Sequence, residues 1–186
     1  WLIKTAADPK NVMLLGNHDV HYISNDYDIT CSGWLPAKQK TIDRILPKDF
    51  WSRFKLWHWI NIGDKFVVAS HAGFHVSMFP VFTDFTEQYF SNWQQRELHR
   101  LLNDLRPTSN VLTIGKSRGG RHPVGWVTAL DWDFEFDPID GFDQIVGHTN
   151  STKIRKNGNN YCLDVNLRYY ARLDLDTGDI SLFSLK

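Results

Sequence analysis

The sequence predicts a single α/β domain over residues 1–186. Short apolar runs of strand length are followed by turns that contain glycine, at residues 12–15, 65–69 and 143–146. Segments with apolar residues at helical spacing lie before and between these runs. With 186 residues, 42% of them hydrophobic, the chain is long enough to bury one core, and no repeat or linker divides it.

In the N-terminal third, short helices are expected around one buried strand. The predicted elements are the end of a helix at residues 1–7, a strand at 12–15, a loop at 20–36 and a helix at 37–46. The loop is expected because its polar and aromatic residues show no clear period. Pro47 ends the helix, and a short helix capped by Asp49 is expected to follow.

In the middle of the chain, a β-hairpin is predicted before the longest helix. The segment "WHWINIGDKFVVASHAGF" indicates two strands around a Gly63-Asp64 turn. The helix is expected over residues 84–105, with Asp84 and Glu87 as a variant capping box and Pro107 after its end. Its apolar stripe consists of Phe90, Trp93, Leu98, Leu101, Leu102 and Leu105. We expect this stripe to pack on the core.

The C-terminal third is predicted to be mostly strand. "DQIVGHT" indicates a strand that ends in glycine and histidine. A hairpin with an Asn157-Gly158 turn follows, and a last hairpin is expected around "DTGD".

The composition excludes several classes of protein and partner. Lysine plus arginine and aspartate plus glutamate are both 21, so the formal net charge of zero does not favour nucleic acid as a partner. Two cysteines, Cys31 and Cys162, are too few for a disulfide framework, and a cytoplasmic location is expected. No apolar run is long enough to span a membrane. Because the chain starts without Met inside a helix, we expect it to be a piece of a longer protein.

Polar side chains follow three of the apolar runs in similar turns. The sequences are GNHD at residues 16–19, SHAG at 70–73 and GHT at 147–149. Side chains just past the carboxyl ends of strands lie where α/β proteins bind ligands. Neutral imidazoles and an amide oxygen suit Mn, Fe, Zn or Co rather than calcium. The pattern therefore predicts a metal site at the strand ends.

GNHD, SHAG and GHT, in that order, resemble the downstream motifs of the calcineurin-like metallophosphoesterases. The resemblance is to the bacterial and phage branch related to Ser/Thr protein phosphatases and diadenosine tetraphosphatases, and it extends from Val12 to about Leu167. It implies a sandwich of two mixed sheets flanked by helices. The implied reaction is hydrolysis of phosphate esters or anhydrides by metal-activated water, with a phosphorylated protein or a nucleotide as substrate.

The resemblance also implies roles for individual residues. Asn17, His71 and His148 would be protein ligands of the second of two divalent metals, and His18 would protonate the leaving oxygen. Relatives place a phosphate-binding arginine between the two histidine ligands, and Arg118 and Arg121 in "KSRGGRHPVGW" are the candidates. The alternative for these arginines is a solvated loop.

Two motifs of the family, Asp-x-His and Gly-Asp-x-x-Asp-Arg-Gly, do not precede Gly16 in this chain. They supply the ligands of the first metal, so we expect this chain to hold about half of a catalytic site. Two alternatives to a protein phosphatase stay open. One is a nucleotide or polynucleotide phosphatase, with Tyr22, Tyr27 or Trp34 stacking on a base. The other is a non-catalytic binding protein with the same fold.

Overall fold

The computed structural model describes residues 1–24, 31–79, 85–103 and 112–185, and in these ranges it contains five α-helices, two short 3-10 helices and seven strands. The helices are α1 (Leu2–Ala7), α2 (Asn17–Ile23), α3 (Pro36–Ile45), α4 (Lys48–Trp51) and α5 (Glu87–Leu102). The strands are β1 (Trp57–Ile62), β2 (Lys65–Ser70), β3 (Asp143–Val146), β4 (Arg155–Asn157), β5 (Asn160–Cys162), β6 (Tyr169–Leu173) and β7 (Ile180–Ser184). The architecture is therefore mixed α/β, as predicted.

The larger sheet is mixed and has the strand order β1-β2-β3-β5-β4. Strands β1 and β2 form the predicted antiparallel hairpin, and Gly63 takes a φ of 53° at its turn. Strand β3 runs parallel to both β2 and β5, with Ala69 opposite Ile145 and Ile145 opposite Tyr161. Because β2 and β3 are parallel neighbours, the residues that follow each of them lie at the same edge of the sheet.

The core between this sheet and α5 is largely aromatic. Trp57, Phe74, Phe90 and Phe142 are each at most 1% exposed. Their rings meet mostly edge to face or tilted, for example Trp57 and Phe74 at 5.2 Å and Phe90 and Phe142 at 5.3 Å. The predicted apolar stripe of α5 thus packs on the core. Helix α5 also carries Gln94, whose side-chain oxygen accepts a hydrogen bond from the Trp57 amide at 2.8 Å.

The second sheet is an antiparallel pair, β6 and β7, and not the second mixed sheet that was predicted. The pair is the expected hairpin around "DTGD", in which Gly178 has a φ of 78°. A Cβ atom on Gly178 would lie 3.3 Å from Cγ2 of Ile62, so the hairpin loop approaches the end of β1.

Two predictions for the N-terminal third were wrong. Residues 12–15 do not form a regular strand, because their only strand-like pairing in the described residues is a single bridge between Leu14 and Lys55. In this bridge the Leu15 amide donates to the Lys55 carbonyl, and the Lys55 amide donates to the Met13 carbonyl. The expected loop at 20–36 begins instead inside α2. Val20 and Ile23 are both buried at a spacing of three residues, which is the spacing of one face of a helix.

Two predicted helix caps were also wrong. Pro47, not Asp49, is the N-cap of α4. Thr86 caps α5, and its hydroxyl accepts a hydrogen bond from the Tyr89 amide at 3.3 Å. The predicted cap residue Asp84, together with Leu105 and Pro107, lies outside the described residues. Within the described ranges, no helix is long and apolar enough to cross a bilayer.

Candidate metal centre

Two histidines meet at the edge where β2 and β3 end. His71 follows β2 directly, and His148 lies two residues past the end of β3. The Gly147 amide donates a hydrogen bond to the His71 carbonyl at 2.9 Å, which extends the parallel pairing beyond the strands. As a result, Nε2 of His71 lies 3.0 Å from Nδ1 of His148. The parallel pairing thus brings together two imidazoles that are 77 residues apart in sequence.

The third side chain comes from the start of α2. Asn17 is the first residue of this helix, and its Oδ1 lies 3.2 Å from Nε2 of His71. Gly16 precedes the helix, and its amide donates a hydrogen bond to the Asp19 carboxylate at 2.8 Å, which holds the first turn. The three side chains predicted as ligands of one metal are therefore side by side, and their role as ligands stays a prediction.

Gly16 has to be a glycine for this arrangement. A Cβ atom at this position would lie 2.8–3.1 Å from three atoms of the His71 ring. Such distances are shorter than van der Waals contact. The missing side chain therefore lets the imidazole pack directly against the chain that leads into α2.

Both imidazoles are neutral at physiological pH. Burial lowers the pKa of His71 from 6.5 to about 4, and the nearby cation of Arg118 acts in the same direction. Burial lowers the pKa of His148 from 6.5 to about 3, with further contributions from His71 and Arg118. A neutral imidazole keeps one ring nitrogen with a lone pair, which is the form that binds metals. Both rings therefore stay unprotonated and keep a lone pair available for a metal.

The spacing of the donor atoms fits one metal ion. Adjacent ligand atoms on an ion with bonds of roughly 2.0–2.1 Å lie roughly 3.0–3.4 Å apart. The observed separations of 3.0 Å and 3.2 Å around Nε2 of His71 fall in that range. In the part of the chain that the structure describes, no group of three or more His, Cys, Asp or Glu side chains could hold a metal. An ion at this edge would therefore depend on the Asn17 amide as its third protein ligand.

His148 has an unusual backbone and an unsatisfied ring atom. Its φ of 65° is in the left-handed region, which is uncommon for a residue with a side chain. Its Nε2 is buried and has no hydrogen-bond partner within the described residues. Ligating histidines usually donate this second N–H to a carboxylate or carbonyl, so His148 departs from the usual pattern.

Of the two candidate arginines, only Arg118 is tied to the site. Its Nε forms an ion pair with Asp131 at 2.7 Å, and its Nη2 donates to the hydroxyl of Thr149 at 2.9 Å. Thr149 follows the candidate ligand His148. Arg121 is exposed, and no described residue bonds it to this edge.

His18, predicted as the proton donor, is the second residue of α2 and is exposed. It lies between Asn17 and Asp19 in the sequence. Burial raises the pKa of the Asp19 carboxyl group. The Asp19 carboxylate accepts the hydrogen bond from the Gly16 amide and completes the turn.

Sequence reasoning missed two charged residues beside the site. Arg155 pairs with Asp133 at 2.6 Å and also donates to the Thr149 carbonyl. Glu135 accepts hydrogen bonds from the amides of Gly125 and Asp131, at 2.8 Å and 3.1 Å. Neither residue belongs to a motif, so only their partners in the folded chain identify them.

Other histidine, aspartate and aromatic side chains make structural contacts or are exposed. His75 caps a short 3-10 turn by accepting from the Ser77 amide at 3.1 Å, and His99 is exposed on α5. Asp164 accepts a hydrogen bond from Asn150 at 3.1 Å. The ring of Trp34 contacts that of His21 at 5.5 Å, while Tyr27 lies outside the described residues.

The chain matches no model of a known protein family, and no curated protein is similar enough to be matched.

Proposed function

We propose that the chain is a metal-dependent phosphoesterase with a calcineurin-like fold, similar to Ser/Thr protein phosphatases. One observation carries the proposal. Oδ1 of Asn17 and Nδ1 of His148 both lie within 3.2 Å of Nε2 of His71. These are three metal-compatible atoms from three separate turns, and they are the positions that the resemblance assigns to metal ligands.

Each residue has a role that follows from its chemistry. The neutral imidazoles of His71 and His148 and the amide oxygen of Asn17 bind a divalent ion such as Mn, Fe, Zn or Co. Bound metal ions supply acidity to water and neutralise charge on a phosphoryl group. Arg118 binds phosphate oxygens with the N–H groups that its neighbours leave unused. The exposed imidazole of His18 gives a proton to the leaving oxygen.

The charge of the ligand set limits what this chain does alone. Two imidazoles and an amide carry no negative charge, so nothing among the three ligands compensates a dication. We expect at most one weakly held ion per chain and slow hydrolysis. Two tightly bound ions with rapid turnover would contradict this three-ligand description.

The metal site is tested by calorimetric titration of the 186-residue chain with ZnCl₂ and MnCl₂. His71→Ala is expected to weaken binding at least about 10-fold, because it removes the central ligand. His99→Ala is the control, since it removes an exposed histidine on α5. Equal affinities in the two variants would contradict the assigned site.

The proton-donor role is tested with His18→Ala in the complete protein, with an aryl phosphate as substrate in excess Mn²⁺. Removal of a general acid lowers turnover about 10²–10⁴-fold and leaves the metal in place. Loss of the metal in this variant would make His18 a ligand. Metal binding by the unmodified chain without any hydrolysis would favour a non-catalytic binding protein instead.

A further inference from the structure

The guanidinium of Arg118 is held at two of its donors. Nε pairs with Oδ2 of Asp131 at 2.7 Å, and Nη2 donates to Oγ1 of Thr149 at 2.9 Å. A guanidinium has five N–H donors, so these two contacts leave the N–H groups of Nη1 and one of Nη2 for another acceptor. The side chain is 32% exposed, so a ligand from solvent can reach it.

Asp131 is itself fixed from several directions. Its side chain is only 7% exposed, and its Oδ1 accepts from the amides of Asp133 and Phe134 at 2.8 Å and 3.2 Å. Its own amide donates to the Glu135 carboxylate at 3.1 Å. The Ser117 hydroxyl donates to the same carboxylate, which connects the short turn that carries Arg118 to the Asp131 loop. The carboxylate that meets Arg118 is therefore rigidly placed.

Thr149 is fixed in the same way. Its hydroxyl oxygen also accepts from the Trp132 amide at 2.8 Å, and its carbonyl accepts from Arg155. Its amide donates to the Gly147 carbonyl at 2.8 Å. Because Thr149 follows His148 directly, its hydroxyl connects Arg118 to the candidate metal ligand through a few covalent bonds.

We propose that Asp131 and Thr149 are positioning residues that hold Arg118 as a preformed anion-binding fork beside His148. The identity of the anion, a phosphoryl oxygen, rests on the proposed function. A long arginine side chain in solution loses conformational entropy when it binds, and a side chain already held by two partners avoids most of that loss.

The positioning is tested on the metal-free chain by ¹⁵N relaxation of the Arg118 Nε–H group. Thr149→Val removes the hydroxyl and keeps the shape, and it is expected to increase the mobility of this group. Thr149→Ser restores the hydroxyl and is expected to restore the order. Asp133→Asn is the matched control, because it removes the neighbouring ion pair with Arg155 and no contact of Arg118.

The same variants are titrated with inorganic phosphate in the presence of Zn²⁺. Thr149→Val is expected to weaken phosphate binding roughly 2- to 12-fold, the cost of ordering one long side chain. Asp131→Asn is expected to weaken it at least as much, and it replaces Thr149→Val where that variant does not fold. Zn²⁺ affinity is expected to change less than 2-fold in Thr149→Ser and Asp133→Asn.

The outcomes separate this proposal from the proposed function. A lower melting temperature with unchanged Arg118 order would make Asp131 and Thr149 purely structural and overturn the proposal. Unchanged phosphate affinity in both variants, with phosphate bound by the original chain, would also overturn it. If the original chain binds no phosphate but Arg118 is still released by Thr149→Val, the positioning holds and the proposed phosphoesterase function fails.

Discussion

At the scale of single residues, two glycines beside His71 differ in what they allow. Gly16 leaves no room for a methyl group, since a Cβ atom would lie 2.8 Å from Cε1 of His71. Gly147 has room, because a Cβ atom there would meet only the His71 carbonyl oxygen at 3.5 Å and Cβ of Asp164 at 3.9 Å. Both residues flank the candidate ligands, but only Gly16 controls where the ring of His71 lies.

This difference predicts the effect of a methyl group at each position. Gly16→Ala is expected to displace the His71 ring and weaken Zn²⁺ binding about 10- to 100-fold, the range for residues that orient metal ligands. Gly147→Ala is expected to change the affinity less than about 3-fold, because its contacts are ordinary van der Waals contacts. Calorimetric titration measures both. Similar affinities in the two variants would show that the ring position does not decide metal binding.

At the scale of elements, one buried side chain joins β3 to the segment after β2. Gln144 is fully buried, and its Oε1 accepts from the Phe74 amide at 2.7 Å while its Nε2 donates to the Phe74 carbonyl at 3.1 Å. Its own amide donates to Oδ1 of Asn160 on β5 at 2.9 Å. Through these bonds Gln144 holds the chain just past His71 against the sheet.

Gln144→Leu is expected to lower the free energy of unfolding by about 2–5 kcal/mol, because it leaves two buried backbone groups of Phe74 without partners. Urea unfolding measures the change. Gln88→Leu is the control, since Gln88 is exposed on α5 and the same substitution there is expected to cost at most about 0.5 kcal/mol. A cost below about 1 kcal/mol for Gln144→Leu would mean that other contacts hold this segment.

At the scale of the whole molecule, burial makes the fold sensitive to acid. His71 and His148 lie where the sheet edge meets the start of α2, and burial lowers their pKa to about 4 and about 3. In the unfolded chain both groups titrate near 6.5. As pH falls below 6.5, the unfolded state takes up protons that the folded state does not, so stability decreases towards pH 4.

We therefore expect the free energy of unfolding of the metal-free chain, measured with urea in EDTA, to be lower at pH 5 than at pH 7.5. His148→Gln removes one of the two groups and is expected to reduce this difference. His122→Gln, at an exposed loop position, is expected to leave it unchanged. An identical pH dependence in His148→Gln and the original chain would show that buried imidazoles are not responsible.

The local sequence was sufficient to predict several elements of the structure. The β1–β2 hairpin, the Asn157-Gly158 turn and the end of α3 before Pro47 were all predicted. In each case the decisive residues lie within a few positions of one another, where turn geometry and missing hydrogen bonds act directly. The strand expected at residues 12–15 was wrong because a strand also needs a partner, and Lys55 offers only one bridge.

The sequence by itself determined which residue types could form the site, because Asn17, His71 and His148 each follow glycine or a strand end in a recognisable motif. Only the tertiary structure decided that these three side chains lie side by side. It also decided that Arg118, rather than Arg121, is bonded next to them, through the hydroxyl of Thr149. The same holds for Arg155 and Glu135, which belong to no motif. Pairing between β2 and β3 joins residues about 76 positions apart, and the free energy of such contacts depends on the packing of the whole core rather than on neighbours in sequence.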